Sequence, residues 1–333
     1  MKRGIRILCG MLLGVSLNSA AINEIEDISP QDAFDKGNTL RLQYHNEQAL
    51  QYLKFAADGG HSMAALLYAD ELATLPYAAR REEDIVEYTL RSADSGNVWA
   101  MQRLALTPRA GGEQQRIKWQ TRYLTALEKA AEEGNNKAML TLFYRYREDQ
   151  YKQAKYWLGK ALEQGYLPAQ YAEIELLELG FEEWFVLPGN RMLEVKKRYA
   201  QLAQLGYLPA IKKTIQLLID TDKTHEAVSW MESAVEQGDA TSLVLLAKAY
   251  AGRYPKTRVE ADLVKSYSYY QNYLDAIGSD KLSGTRKRIE KEELAVKETL
   301  TDEQIAAADL LHQAYRASHT VKQFESPWKY TME

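Results

Sequence analysis

Cysteine is almost missing from this chain: Cys9 is the only one in 333 residues. It sits inside the apolar run Ile7 to Leu17, which follows the basic start Met1-Lys2-Arg3-Gly4-Ile5-Arg6 and precedes Asn18-Ser19-Ala20-Ala21. A basic start, a short apolar run and small residues in that order make a secretory signal, with Ser19 and Ala21 placed for a cut after Ala21. The run is shorter than the roughly 20 apolar residues that span a bilayer, so no membrane anchor is expected. Cys9 lies within the run and not at its end, so lipid modification is not expected either. A mature chain without cysteine excludes disulfides, thiolate metal sites and cysteine nucleophiles together. Packing alone must hold it, and its length allows a core of that size.

Other chemistry is thin as well. The five histidines, His45, His61, His225, His312 and His319, form no HExxH or HxH pattern. His61 reads as a surface or capping residue. No GxSxG, P-loop or GxGxxG occurs. Glu182-Glu183 reads as a solvated pair, because adjacent carboxylates alone do not divide the acid and base roles, and Asp70-Glu71 is weaker still as an acid pair. No catalytic residue, metal or cofactor is expected. A basic surplus is also missing: the net charge is −4, and −7 once Lys2, Arg3 and Arg6 leave with residues 1–21. That balance disfavours nucleic acid and anionic lipid as partners. Charges of both signs alternate from Arg286 to Glu293, as on a solvated helix with i,i+4 pairs such as Arg286 to Glu290.

What the chain does have is repetition. Gly165-Tyr166-Leu167-Pro168-Ala169 returns unchanged as Gly206-Tyr207-Leu208-Pro209-Ala210. Related joints fall at Gly60, Gly96, Gly134, Gly238 and, most weakly, Gly278, with glycine spacings of 36, 38, 31, 41, 32 and 40. A period in this range signals stacked helix pairs. Positions eleven, eight, four and three before each glycine are mostly apolar or aromatic, for example Ala49, Tyr52, Ala56 and Ala57, or Ala227, Trp230, Ala234 and Val235. This is one stripe at helical spacing. Glycine ends one helix with φ > 0, proline suits the first turn of the next, and a small residue four beyond the glycine lets the two helices approach closely. Helices are expected over 46–58, 82–95, 122–133, 151–164, 194–205, 225–237 and 264–277, with a first inner helix over 29–43. No run alternates with period two, so the fold class is all-α. Gly180 and Pro188-Gly189-Asn190 bound a loop carrying Phe181, Trp184 and Phe185.

These residues resemble the Sel-1-like repeats, short relatives of tetratricopeptide repeats. The resemblance rests on Ala49, Tyr52, Ala56, Ala57 and Gly60, on Ala154-Lys155-Tyr156-Trp157 with Lys160-Ala161 and Gln164-Gly165, and on Ala227, Trp230, Ala234 and Gln237-Gly238. Leu246-Ala247, Tyr250 and Gly252 match the first half of the pattern, which is rewritten elsewhere. Leu300 to Ala308 resembles the closing helix of bacterial members, with Thr301 and Gln304 as a capping box. The resemblance implies a right-handed superhelical solenoid of antiparallel helix pairs over 44–282. A signal (1–21) and an N-terminal segment (22–43) precede it, and capping helices with a tail (283–333) follow.

It further implies a non-catalytic binding protein of the bacterial periplasm. Relatives include immunity proteins that occlude type VI secretion effectors such as lipases. An envelope scaffold or regulatory adaptor is the alternative, and a hydrolase-like enzyme is disfavoured because the relatives with such activity are rich in cysteine. The expected partner is therefore a protein, with no nucleic acid and no stable membrane insertion after signal cleavage. In related solenoids the inner helices line the concave side, which nominates Tyr144 and Arg147 for partner contact. Trp184 and Phe185 of the aromatic loop are candidates too. So are Tyr269 and Tyr273, which fall off the buried stripe followed by Tyr267, Tyr270 and Leu274.

Overall fold

The computed structural model describes residues 28–106, 112–180, 188–254, 257 and 259–324. The expected signal segment, and Trp184 and Phe185 of the expected loop, lie outside the described residues. Among the described residues there are 16 α-helices and no β-strand. Two compact units are present. The first comprises the described residues up to Arg41 and Asn46–Arg116, and the second comprises Leu42–His45 and the residues from Ile117 onward.

In the first unit lie α1 Pro30–Leu42 (its last residue excepted), α2 Asn46–Asp58, α3 Ser62–Thr74, α4 Glu82–Asp94 and α5 Val98–Leu106. Helix α6, Gly112–Glu132, carries the boundary. The second unit continues with α7 Asn136–Tyr146, α8 Tyr151–Glu163, α9 Leu167–Leu179, α10 Pro188–Gln204, α11 Leu208–Asp220 and α12 Thr224–Val235. It ends with α13 Ala240–Tyr250, α14 Leu263–Ala276, α15 Ser283–Lys297 and α16 Asp302–Ser318. Most helices end within two residues of the expected bounds. Helix α6 begins at Gly112 instead of residue 122, and α10 at Pro188 instead of residue 194. The α6 extension is written mostly in helix formers, which the stripe alone did not mark. Pro188-Gly189-Asn190, expected to bound a loop, instead open α10, because proline's fixed φ and missing N–H suit a first helical turn.

The joints are built alike. Gly60, Gly96, Gly134, Gly165, Gly206 and Gly238 all have φ between 68° and 95°. At Gly165 the glycine N–H donates to Leu162 O (2.9 Å) and the Tyr166 N–H to Ala161 O (3.2 Å). The same two bonds recur at Gly60, Gly96, Gly134 and Gly238. This closure satisfies the last carbonyls of the ending helix and needs a left-handed residue at the glycine. The next helix must then satisfy its own first N–H groups. His61, Asn97, Asn135 and Asp239 do this with side chains that accept from the backbone N–H three residues on. Tyr166 and Tyr207 make no such side-chain bond, and there Pro168 and Pro209 stand in the first turn. Proline removes a donor that would otherwise need a partner. The repeated pentapeptide is thus the joint used where no capping side chain is present. Ala64, Ala100, Ala138, Ala169, Ala210 and Ser242, four beyond each glycine, are all buried.

Gly278 departs from the pattern. Its φ is not in the left-handed region, and Leu282, with φ 56°, takes that conformation before α15. Gly278 serves close approach instead: its N–H donates to Gln43 O (2.7 Å), and a Cβ there would lie 2.5 Å from Tyr44 O.

The second unit is closed at its end. Thr301 and Gln304 form the expected capping box of α16. The Tyr315 hydroxyl donates to Val235 O (2.6 Å). An extended strap follows, in which Lys322 N–H donates to Gly238 O (3.0 Å) and Ala240 N–H to Lys322 O (3.1 Å). Val321 is buried beneath it. Gln323 N–H donates to Leu42 O (2.9 Å), and Gln43 Nε2 to Val321 O (2.8 Å). The Arg286–Glu290 pair forms as expected (2.9 Å).

Candidate functional site

In the second unit α7 and α9 carry a row of tyrosines and carboxylates, to which α10 adds Tyr199 and α11 adds Lys213. Tyr144 comes from α7 and donates its hydroxyl to Glu175 Oε2 on α9 (2.9 Å). One turn on, Glu178 accepts from the Tyr199 hydroxyl (3.0 Å) and from Lys213 Nζ of α11 (2.9 Å). Tyr199 belongs to α10 and is fully buried, so it forms the floor beneath Glu178. Tyr171 packs against both Tyr199 (centroids 5.2 Å apart) and Tyr207 (5.8 Å). Lys213 Nζ lies 5.6 Å from the Tyr199 ring centre, and the Arg147 guanidinium lies 5.1 Å from that of Tyr144. Both distances suit cation–π attraction.

Helical spacing makes this row. Tyr171, Glu175 and Glu178 fall at i, i+4 and i+7 of α9 and so share one face. Ala169, Ala172, Ile174 and Leu177 of the same helix are buried.

The two carboxylates differ in how they are answered. Glu178 has a hydroxyl and an ammonium. Glu175 accepts one hydrogen bond, from Tyr144, and forms no ion pair among the described residues. Burial raises the Glu175 pKa above the usual carboxylate range, partly offset by the Tyr144 hydrogen bond and by Arg147 and Lys213 acting from further away. Burial likewise raises the hydroxyls of Tyr144, Tyr199 and Tyr207, and pushes that of Tyr171 up to about 12. All four are therefore neutral donors at physiological pH. The Tyr207 hydroxyl is buried and has no partner among the described residues.

The sequence candidates divide on this geometry. Tyr144 and Arg147 belong to the row, Tyr144 half-buried and Arg147 exposed. Tyr269 is half-buried and stacks on Tyr250 (6.0 Å, 28°), whose hydroxyl donates to Glu232 (3.0 Å). Tyr273 requires correction: it is 3% exposed and offers no surface to a partner. Tyr44 and the arginines Arg286 and Arg288 lie close enough to act on its hydroxyl, and Arg286 donates to Leu274 O (2.8 Å). That face is covered by the turn before α2 and by α15, neither of which belongs to the repeat pattern. Glu175, Glu178, Tyr171, Tyr199 and Tyr207 were not singled out from sequence. The signal that could have found them was the acid pair Glu175 and Glu178 on a helix otherwise rich in leucine.

Elsewhere the titratable groups serve the fold. His61 caps α3 (Nδ1 accepting from Ala64 N–H, 3.1 Å) and stacks on Phe34 at 4.1 Å, and its burial lowers its pKa. Asp70 pairs with Arg103, and Glu71 with Arg41 and Asn46. Among the described residues no three His, Cys, Asp or Glu side chains are grouped to hold a metal. An open depression of about 460 Å³ on α4 is lined by Glu82, Glu83, Val86, Glu87 and Leu90 and brings no second helix to its polar groups.

These features define an all-α repeat solenoid. No family model matches the chain, and no curated protein matches its sequence. Among solved structures it is similar to a protective antigen of uropathogenic Escherichia coli with an SLR fold, at 21% identity and a TM-score of 0.42. That match covers 90% of this chain and 63% of the other, so the chain spans less than two thirds of that protein's length. It is also similar to a Sel1 repeat protein from Oxalobacter formigenes, at 18% identity and a TM-score of 0.38, covering 86% of this chain and 97% of the other. The likeness is one of fold, and the Sel-1-like resemblance of the sequence agrees with it.

Proposed function

We propose that this chain is a non-catalytic protein-recognition scaffold. The observation that carries the reading is the row on α7 and α9, to which Tyr144, Tyr171, Glu175 and Glu178 belong. Tyrosines give large contact area with few rotatable bonds, and half-buried acceptors give direction, which together suit a protein surface. Repeats present such groups over an extended face, where enzymes need a converging pocket. The finer reading follows from the family resemblance and the N-terminal signal. In it the protein works in the periplasm as an immunity protein, covering the active site of an antibacterial type VI effector such as a lipase.

Two measurements test it. Purified full-length protein should retain a specific partner from periplasmic extract, and co-expression with the effector encoded beside it should rescue growth. Retention without rescue moves the reading to an envelope adaptor that binds a resident protein. Failure of both overturns the scaffold reading.

A further inference from the structure

Glu175 and Glu178 sit one turn apart on the same face, yet only one has a cation. Glu178 is neutralised by Lys213 at 2.9 Å, with the lysine also near the Tyr199 ring. That arrangement is a carboxylate, a hydroxyl donor and an aromatic ring around one ammonium. At Glu175 the same parts recur without the ammonium. The carboxylate accepts from the Tyr144 hydroxyl (2.9 Å), and Tyr171 lies one turn before it on α9. The Tyr207 ring packs edge-on to Tyr171, and its hydroxyl has no partner among the described residues.

A half-buried carboxylate with no cation in contact, and with Arg147 and Lys213 acting only from further away, is incompletely compensated, and a cation brought to it gains most where water is already partly excluded. We infer that Glu175, framed by Tyr144, Tyr171 and Tyr207, is the seat for an arginine side chain of the protein partner. The inference rests on the protein-recognition reading and names the chemistry of its central contact. Arginine fits better than lysine for two reasons. Its planar guanidinium stacks on tyrosine rings while its fork of donors engages a carboxylate. It also has N–H groups left over to reach the Tyr207 oxygen. The exposed Arg147, over the Tyr144 ring, is the resident cation an incoming arginine would meet first.

The test uses capped Gly-Arg-Gly and Gly-Lys-Gly peptides titrated into the full chain and followed by NMR. Saturable binding of the arginine peptide is expected, several-fold tighter than that of the lysine peptide. Glu175→Gln keeps the side chain's shape and should weaken it by about tenfold or more, the range expected for a hydrogen-bonded charge. Glu163→Gln, on the exposed side of α8, should leave it unchanged, and Arg147→Ala, which removes the resident cation, should tighten it. A wild-type chain that shows no saturation, or equal binding by wild type and Glu175→Gln, overturns the inference. Helical circular dichroism on each variant separates these outcomes from misfolding, and Tyr207→Phe, expected to weaken the arginine peptide alone, gives a second readout. If a partner retained by wild type is held equally by Glu175→Gln, the seat is wrong and the scaffold reading stands. If no partner is retained and growth is not rescued, the scaffold reading falls while the peptide titration still decides the chemistry at Glu175.

Discussion

The two units treat a desolvated carboxylate in opposite ways. In the first, Glu71 is 4% exposed and is met by the equally buried Arg41 (3.9 Å) and by the Asn46 amide, while Arg41 is held in turn by Asn38 Oδ1 (2.8 Å). In the second, Glu175 is half-buried on a solvent-reaching face and is met by one phenol. A buried charge with its own partner holds a unique packing together. A half-buried charge with only a neutral donor is unfinished in the same physical sense. The difference separates a structural ion pair from a contact site without reference to any relative, because both groups are glutamates on first helices.

The comparison can be broken most strongly from the first unit. Arg41→Ala leaves Glu71 buried without its cation and should cost about 3–5 kcal/mol, read as a lowered first transition in chemical unfolding. A cost under 1 kcal/mol would mean Glu71 is not relying on Arg41 at all. A smaller effect comes from making Glu178 resemble Glu175. Lys213→Met removes the ammonium from a pair that is 29% and 25% exposed. It should cost about 1 kcal/mol in thermal unfolding and create a second place for the arginine peptide. Tyr144→Phe deletes the hydroxyl that answers Glu175. About 1 kcal/mol should be lost, with arginine binding kept, because the carboxylate remains.

The smallest effect is a pH dependence. Burial holds the folded Glu175 carboxyl above its ordinary pKa, so folding favours its protonated form. Below the ordinary carboxylate range the group costs nothing. As pH rises from that range through the raised folded value, the unfolded chain releases its proton first and stability falls. Above the folded value the cost is complete. Glu175→Gln lacks this titration, so its melting temperature should gain on wild type across that window and then hold level. A constant gap over the window would show that Glu175 is well solvated.

The joints were legible in the sequence because the left-handed conformation is nearly reserved for glycine, and because capping side chains and proline mark the next helix within a few letters. The row around Glu175 was only half legible. Tyr144 and Arg147 stood out as aromatic and basic neighbours at the end of a first helix. Glu175 did not, because a mid-helix acid reads as solvated. Its burial depends on Tyr144, 31 residues earlier, and on Tyr207, 32 residues later. Only the register between repeats brings those three together, and composition carries no record of register. Tyr273 misled for the same reason, since the turn and helix that cover it lie outside the repeated pattern.

The strap after α16 has a consequence for how such chains change over generations. At Gly238 a Cβ would come 2.2 Å from Thr320 O, whereas at Gly206 nothing lies within 4 Å. The Gly238 joint is therefore covered by the strap, while nothing lies within 4 Å of a Cβ at Gly206. Duplicating a repeat at the terminus would unseat Val321 and the bonds around Lys322, but duplicating one at Gly165 or Gly206 would copy a self-sufficient corner. A repeat inserted beside Gly206 should therefore disturb the fold less than one inserted beside Gly238.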